Sequence, residues 1–401
     1  MLITVAAGAP AHTKQTILTH AASQGLMTQS MANGHGGEVI AIGGALQMDA
    51  ASLPGVEQVQ PVTKPYMLAS LEARDRSQVR VGDVVIGGDD LIVMAGPCSV
   101  ESREAQIEIA HRVKSAGATI LRGGAFKPRT SPYSFQGLGE LGLQHLAEAR
   151  EATGLPVVTE VMEPDQVDLV AHYSDMLQSG SRNMANFPLL KRVGKAGKPV
   201  LLKRGFSSTL EEFLMSAEYI MANGNPDVVL CERGIRTFDT AFRFNLDLNV
   251  VPGIKELSHL PIVVDPSHGT GRRSLVRRMS LAAVAAGADG LFIEVHPDPD
   301  NALSDGYQTI TPDELRRIHQ GALAVRDAVA ESEGADIMPL RPVAEIRRRL
   351  PDDDHRARPR QRRENAPFPI APANEHVGPV SSDGYVFMNA SHLHAQCLRP
   401  A

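Results

Sequence analysis

The chain has little of what would place it outside a cell, in a membrane or on nucleic acid. Only three cysteines, Cys98, Cys231 and Cys397, occur in 401 residues. Odd in number and far apart, they form no disulfide framework, so a reducing cytoplasm is the expected setting. No apolar run approaches the roughly 18 residues that a membrane span requires. The apolar stretch from Leu2 to Ala11 has no positive region before it, so neither a secretory leader nor export is expected. Net charge is −6, which argues against a broad basic face for nucleic acid. Any anionic ligand must therefore be held by a local cluster of Lys and Arg.

What is present reads as a globular chain with room for one large core and a smaller companion. In the first part, an apolar strand at Leu2–Ala6 precedes a helix over Thr13–Gly25. Two short strands follow, at Met27–Met31 and Glu38–Ile42, separated by the turn-rich Asn33-Gly34-His35-Gly36-Gly37. A short helix over Met48–Leu53 and a strand over Val56–Val62 complete a β-α-β-β-α-β order. That order predicts a ferredoxin-like domain over residues 1–72, with two helices on one face of the sheet.

From about Val81, buried-type apolar runs alternate eight times with amphipathic stretches. The strand candidates are Leu91–Ala95, Thr119–Leu121, Val157–Val158, Met176–Gln178, Val200–Leu202, Val228–Cys231, Ile262–Val264 and Leu291–Ile293. Consecutive apolar residues suit a parallel sheet buried on both faces, and eight β-α units predict a (β/α)8 barrel over residues 73–330. Helices are expected at Glu104–Ser115, Leu141–Ala152, Leu210–Ala222, Leu275–Ala286 and Pro312–Val329. Residues 331–401, rich in Arg and Pro and without apolar periodicity, are expected to be a low-order extension. The closing His392-Leu393-His394-Ala395-Gln396-Cys397 is better explained by chance clustering than by a metal site.

Barrels of this kind carry their active sites at the carboxyl ends of the strands. The eight runs lead into Cys98, Arg122, Glu160, Arg182, Lys203-Arg204, Glu232-Arg233, Asp265-Pro266-Ser267-His268 and Glu294-Val295-His296. All eight ends carry chemistry. Cys98, His268 and Glu294, with Asp305 in the following loop, offer sulfur, nitrogen and oxygen ligands. That mixture suits a divalent first-row ion such as Mn, Fe, Co or Zn better than Mg or Ca. Taken singly, a Cys after a strand is usually a small buried hydrophobe and an Asp in Ser-Asp-Gly is usually turn chemistry. A second, basic set comprises Arg122, Lys127, Arg129, Arg182, Lys203, Arg204, Arg233 and Arg236. So many cations together imply a multiply anionic substrate set, because buried charge must be neutralised. The bland alternative is pairing with local carboxylates, which looks too sparse near these motifs.

Gly96-Pro97-Cys98-Ser99, the run Leu121–Ser131, Leu202-Lys203-Arg204-Gly205, Cys231–Thr237 and Val264–His268 together resemble the type I beta branch of the 3-deoxy-D-arabino-heptulosonate 7-phosphate (DAHP) synthases, over about residues 1–330. The resemblance implies metal ligation by Cys98, His268, Glu294 and Asp305. It implies phosphoenolpyruvate contacts from Arg122, Lys127, Arg182, Lys203 and Arg233. Erythrose 4-phosphate contacts fall on Lys127, Pro128, Arg129 and Thr130, with Asp305 near the sugar hydroxyls. Glu160 matches the carboxylate that holds the attacking water, and Lys127, Glu160 and His268 form the expected catalytic set. Ser181 departs from the Gly-Ala-Arg that carries the family's phosphate-binding Arg and adds a hydroxyl near the carboxylate site. The N-terminal unit is similar to a regulatory domain that binds an aromatic amino acid, and family members are commonly homotetramers.

Two other readings compete. A 3-deoxy-manno-octulosonate 8-phosphate synthase shares the fold but takes arabinose 5-phosphate, and its loop resembles Lys-Ala-Asn-Arg-Ser. Here the loop is Lys127-Pro128-Arg129-Thr130, which favours the heptulosonate reaction. A non-catalytic amino-acid sensor would be expected to have lost part of the metal set or the cation cluster, and both are complete.

Overall fold

In the computed structural model, residues 1–129 and 131–333 are described. The first unit has β1 (Leu2–Val5), α1 (Ala11–Ser23), β2 (Thr28–Ala32), β3 (Glu38–Ile42) and β4 (Val56–Gln60). Its sheet runs β2-β3-β1-β4 and is antiparallel. Ile3, Val5, Ile40 and Ile42 pack on Ile17 and Ala21 of α1, as the period-2 pattern of the strands requires. The second expected helix is only a three-residue 3₁₀ turn, Ala50–Ser52, because Pro54-Gly55 follows at once and allows no second turn.

The opposite face of that sheet, with Leu2, Met31, Val39 and Ala41, shares a core with Tyr66, Leu68, Ala69 and Ala73 of the connecting segment. This segment is latched to the barrel. The Glu218 carboxylate accepts from the backbone N–H of Leu68 and Ala69, at 3.0 and 2.9 Å. His259 Nε2 donates to the Leu68 carbonyl at 2.6 Å, and its Nδ1 accepts from the Ser77 hydroxyl at 2.8 Å.

A hairpin of β5 (Val79–Val81) and β6 (Val84–Ile86) comes next. Its Val79, Val81 and Ile86 belong to the same buried cluster as the side chains inside the barrel, Met94, Ile120, Val158, Leu201 and Phe292 among them. The hairpin thus stoppers the foot of the barrel.

The barrel closes from β7 (Ile92–Gly96), β8 (Ile120–Arg122), β9 (Val157–Val161), β10 (Met176–Ser179), β11 (Val200–Lys203), β12 (Val228–Glu232), β13 (Ile262–Val264) and β14 (Gly290–Glu294). Around it lie α2 (Arg103–Ser115), α3 (Glu140–Thr153), α4 (Val167–Tyr173), α5 (Phe187–Val193), α6 (Leu210–Met221), α7 (Val250–Leu257), α8 (Pro266–Thr270), α9 (Arg273–Ala285) and α10 (Pro312–Glu333). Local chemistry sets the ends of several helices. Ser102 caps α2 by accepting from Ala105 N–H at 3.2 Å, and Thr209 with Glu212 forms a reciprocal capping box on α6. Each such cap is worth about 1 kcal/mol. Gly154, at φ 74°, ends α3 in the left-handed conformation that favours glycine. No helix among the described residues is long and apolar enough to cross a membrane. The expected extension beyond residue 333, with its His/Cys cluster, lies outside the described residues.

Candidate active site

A cleft with about 370 Å³ of room for water-sized molecules opens at the carboxyl ends of the barrel strands. Arg122, Lys127, Pro128, Arg129, Glu160, Ser181, Arg182, Lys203, Arg233, His268 and Asp305 all line it. Thr130 lies outside the described residues. Cys98 and Glu294 sit just beneath, 3% and 0% exposed. The floor is Phe292, whose ring carries Lys203 Nζ at 4.0 Å and the Arg122 guanidinium at 4.9 Å.

The sulfur and oxygen donors converge, while the nitrogen donor His268 reaches the group only beside Glu294. One ligand atom each from Cys98, Glu294 and Asp305 lies within 4.8 Å of the others, with Cys98 Sγ 3.4 Å from Asp305 Oδ2. His268 joins through Glu294, its Nε2 lying 3.4 Å from Oε1. The other ring nitrogen, Nδ1, donates to Asp265 Oδ2 at 2.7 Å, which fixes the tautomer and leaves Nε2 free to ligate. This donor set fits a divalent first-row ion. Asp305 is the only non-glycine residue with positive φ, 50°, among the described residues, and Asp tolerates that conformation better than most residues.

Burial and neighbouring charge tune these groups. Burial pushes the Cys98 thiol up to about 12, and the Glu294 carboxylate adds to the rise; a metal must therefore displace its proton. For Glu294, burial alone would raise the pKa, but His268, Arg122 and Lys127 outweigh it and bring it to about 2. Asp265 behaves alike: burial opposes ionisation, yet His268 and Lys203 hold it far below the ordinary carboxylate range. Lys127 Nζ donates to the Cys98 carbonyl at 2.9 Å and to Sγ at 3.0 Å. Its burial opposes the charge, but Cys98 and then Glu294 outweigh it and raise its pKa, so it is an ammonium at neutral pH.

The basic set divides in two. Arg204 is not in the cleft. It donates to Glu232 Oε2 at 3.0 Å and to Asp247 Oδ2 at 3.1 Å, a structural triad beneath the rim. Arg236, also absent from the lining, stacks over Phe206 at 5.0 Å. Lys203 lines the cleft while donating to Asp265 at 2.5 Å. By contrast, Arg129, Arg182 and Arg233 have no carboxylate partner among the described residues. Arg233 is 4% exposed and lies over Phe244 at 3.9 Å; burial lowers its pKa, but only to about 10, so it stays charged at neutral pH. Arg129 is half-buried and Arg182 exposed, so Arg233 is the buried cation of the three, and its charge calls for an anion to complete it.

Glu160 accepts from Gln178 Nε2 at 3.0 Å. Its carboxylate lies so close to Gly180 that a Cβ there would stand 2.0 Å from Oε1. The sequence reading did not single out Gln178, Phe206, Arg243 or Tyr307 as site residues, and all four line the cleft. Asp265 was legible as a strand-end carboxylate three residues before His268. Arg243 and Tyr307 lie in loops, and their sequence context gave no signal.

Residues 66–330 match the DAHP synthetase I family. The chain belongs to that family. It is 53% identical, over 279 residues, to the phospho-2-dehydro-3-deoxyheptonate aldolase of Thermotoga maritima, covering 69% of this chain and 82% of that protein. It is 33% identical, over 275 residues, to the 2-dehydro-3-deoxyphosphooctonate aldolase of Syntrophotalea carbinolica, covering 63% of this chain and 97% of that one. The crystal structure of the Thermotoga maritima DAHP synthase superposes with a TM-score of 0.66 at 46% identity, over 82% of this chain and 97% of the other. A truncated form of that enzyme gives 0.62 at 49% identity, over 66% of this chain and 97% of its own. The heptulosonate relative is thus markedly more similar than the octulosonate one.

Proposed function

We propose that the cleft condenses phosphoenolpyruvate with D-erythrose 4-phosphate and water to give 3-deoxy-D-arabino-heptulosonate 7-phosphate and phosphate. The observation that carries this reading is the facing of two sets across one cleft. Arg129, Arg182 and Arg233 offer unpaired positive charge, and Cys98, His268, Glu294 and Asp305 offer a divalent-ion donor set.

In this reading Arg122, Lys203, Arg182 and Arg233 grip the phosphate and carboxylate of phosphoenolpyruvate, since Arg forks match both groups. Lys127, Pro128, Arg129 and Thr130 hold the aldose phosphate, with Asp305 near the sugar hydroxyls, and Ser181 adds a hydroxyl near the carboxylate of phosphoenolpyruvate. Fixing both substrates can contribute up to about 7–11 kcal/mol by proximity alone. A bound divalent ion would supply Lewis-acid polarisation of the aldehyde oxygen. As the enol carbon attacks the aldehyde, Lys127 gives its Nζ proton to the forming alkoxide. Attack leaves positive charge at C2; the water held by Glu160 adds there and gives its proton to that carboxylate, and the hemiketal phosphate collapses to the ketone by C–O cleavage, its hydroxyl proton leaving with inorganic phosphate. Residues 1–72 are proposed as a regulatory unit answering an aromatic amino acid, in a cytoplasmic enzyme.

The test is phosphate release by the full-length protein with erythrose 4-phosphate or arabinose 5-phosphate, with and without EDTA. Release with the four-carbon sugar, lost in EDTA and restored by Mn²⁺, is expected. A preference for arabinose 5-phosphate, or indifference to EDTA, would overturn the reading.

A further inference from the structure

The loop after β14 contributes more than Asp305. Three residues on, Gln308 is 1% exposed, and its backbone N–H donates to the Asp305 carbonyl at 3.1 Å. Its side-chain Nε2 donates to Glu294 Oε2 at 2.7 Å. The opposite oxygen, Oε1, accepts from Arg122 Nη1 at 3.2 Å and faces His268 Nε2 at 3.4 Å. The amide orientation follows from these partners, because a flipped amide would press two acceptors together. Gln308 Oε1 is buried without a partner. Glu294 is the acceptor that its amide nitrogen meets.

We infer that Gln308 is a positioning residue for the metal centre: it holds Glu294 Oε2 back, so that Oε1 is the oxygen presented to the ion beside His268. The inference rests on the metal reading of Cys98, His268, Glu294 and Asp305. It also gives one turn of chain two tasks, since the loop that supplies Asp305 aims Glu294 as well. A donor behind a ligating carboxylate fixes its orientation and basicity, and its loss typically weakens metal binding about 10–100-fold.

The experiment titrates Mn²⁺ into the metal-free full-length protein by calorimetry, for wild type, Gln308→Met, Gln308→Asn and Cys98→Ala. Gln308→Met keeps the volume but lacks the donor; Gln308→Asn keeps the amide but is one methylene short. Both are expected to raise the Mn²⁺ Kd about 10–100-fold, while the thermal midpoint of the metal-free protein shows whether each is folded. The Mn²⁺ EPR spectrum is expected to broaden in both, reporting a less defined ligand field. Unchanged Kd and spectrum in the folded Gln308 variants, alongside lost binding in Cys98→Ala, would overturn this inference alone. Undiminished binding by Cys98→Ala would overturn the metal reading and the role of Gln308 with it.

Discussion

At the residue scale, Gly180 shows how little space the cleft leaves. A methyl group at this position would meet the Glu160 carboxylate at 2.0 Å, so Gly180→Ala must push Glu160 aside. Arg122 and Arg233 follow other strands, whereas Arg182 is only two residues on from Gly180. Displacing a catalytic group by about 1 Å can cost about 10²-fold in rate. The variant is therefore expected to lose about 10²-fold in kcat, with KM for erythrose 4-phosphate nearly unchanged, measured by steady-state kinetics. A kcat within threefold of wild type would remove Glu160 from the mechanism. The side chains at strand ends were readable from sequence because a barrel strand gives its carboxyl end one address. Arg204 was misassigned to the anion-binding set because its partners, Glu232 and Asp247, are 28 and 43 residues away, and only the closed barrel brings them together.

At the element scale, the barrel strands lie within a residue of where unbroken apolar runs put them, because full burial on both faces leaves a strong signature. The exception is β9, which continues three residues past Val158 through the polar Thr159 and Glu160. The hairpin β5–β6 escaped notice. Two three-residue strands joined at Gly82-Asp83 are too short to show any period. The connecting segment was equally silent, since its hold on the barrel depends on backbone groups meeting Glu218 and His259. That hold is sensitive to acid. Burial lowers the His259 pKa to about 4, against about 6.5 in an unfolded chain. The folded state therefore prefers the neutral ring. Its contribution is complete above about pH 6.5 and is lost progressively as pH falls to about 4, amounting to about 3 kcal/mol. Urea unfolding at pH 7.5, 5.5 and 4.5 is expected to show this decline in wild type and a shallower one in His259→Gln. Parallel curves for the two proteins would refute the assignment.

At the scale of the whole molecule, the chain does not divide cleanly where composition changes. The family match begins at residue 66, and Tyr66, Leu68 and Ala69 already belong to the barrel-side core. A chain lacking residues 1–61 should fold and keep its turnover, because its Glu218 still meets Leu68 and Ala69. A chain lacking residues 1–80 loses those two N–H donors, the Ser77–His259 bond and strand β5. Stranding a buried carboxylate costs several kcal/mol, so the shorter form is expected to be insoluble or to melt far below the longer one by differential scanning calorimetry. Equal melting temperatures would show that the segment is dispensable. The overall architecture was legible because both units follow strong periodic patterns; their joint was not, because it is built from irregular backbone.

The hairpin plug beneath Phe292 has a kinetic consequence. A vessel sealed below and open above can only be filled and emptied in sequence. On the proposed chemistry, a reactant gripped by Lys203 and Arg122 would enter ahead of its co-substrate, and the phosphate freed from it would leave after the joined sugar phosphate has cleared the rim. Traffic through the cleft is thereby given a direction by the packed barrel interior, which the two three-residue strands of the hairpin close at the end far from the chemistry.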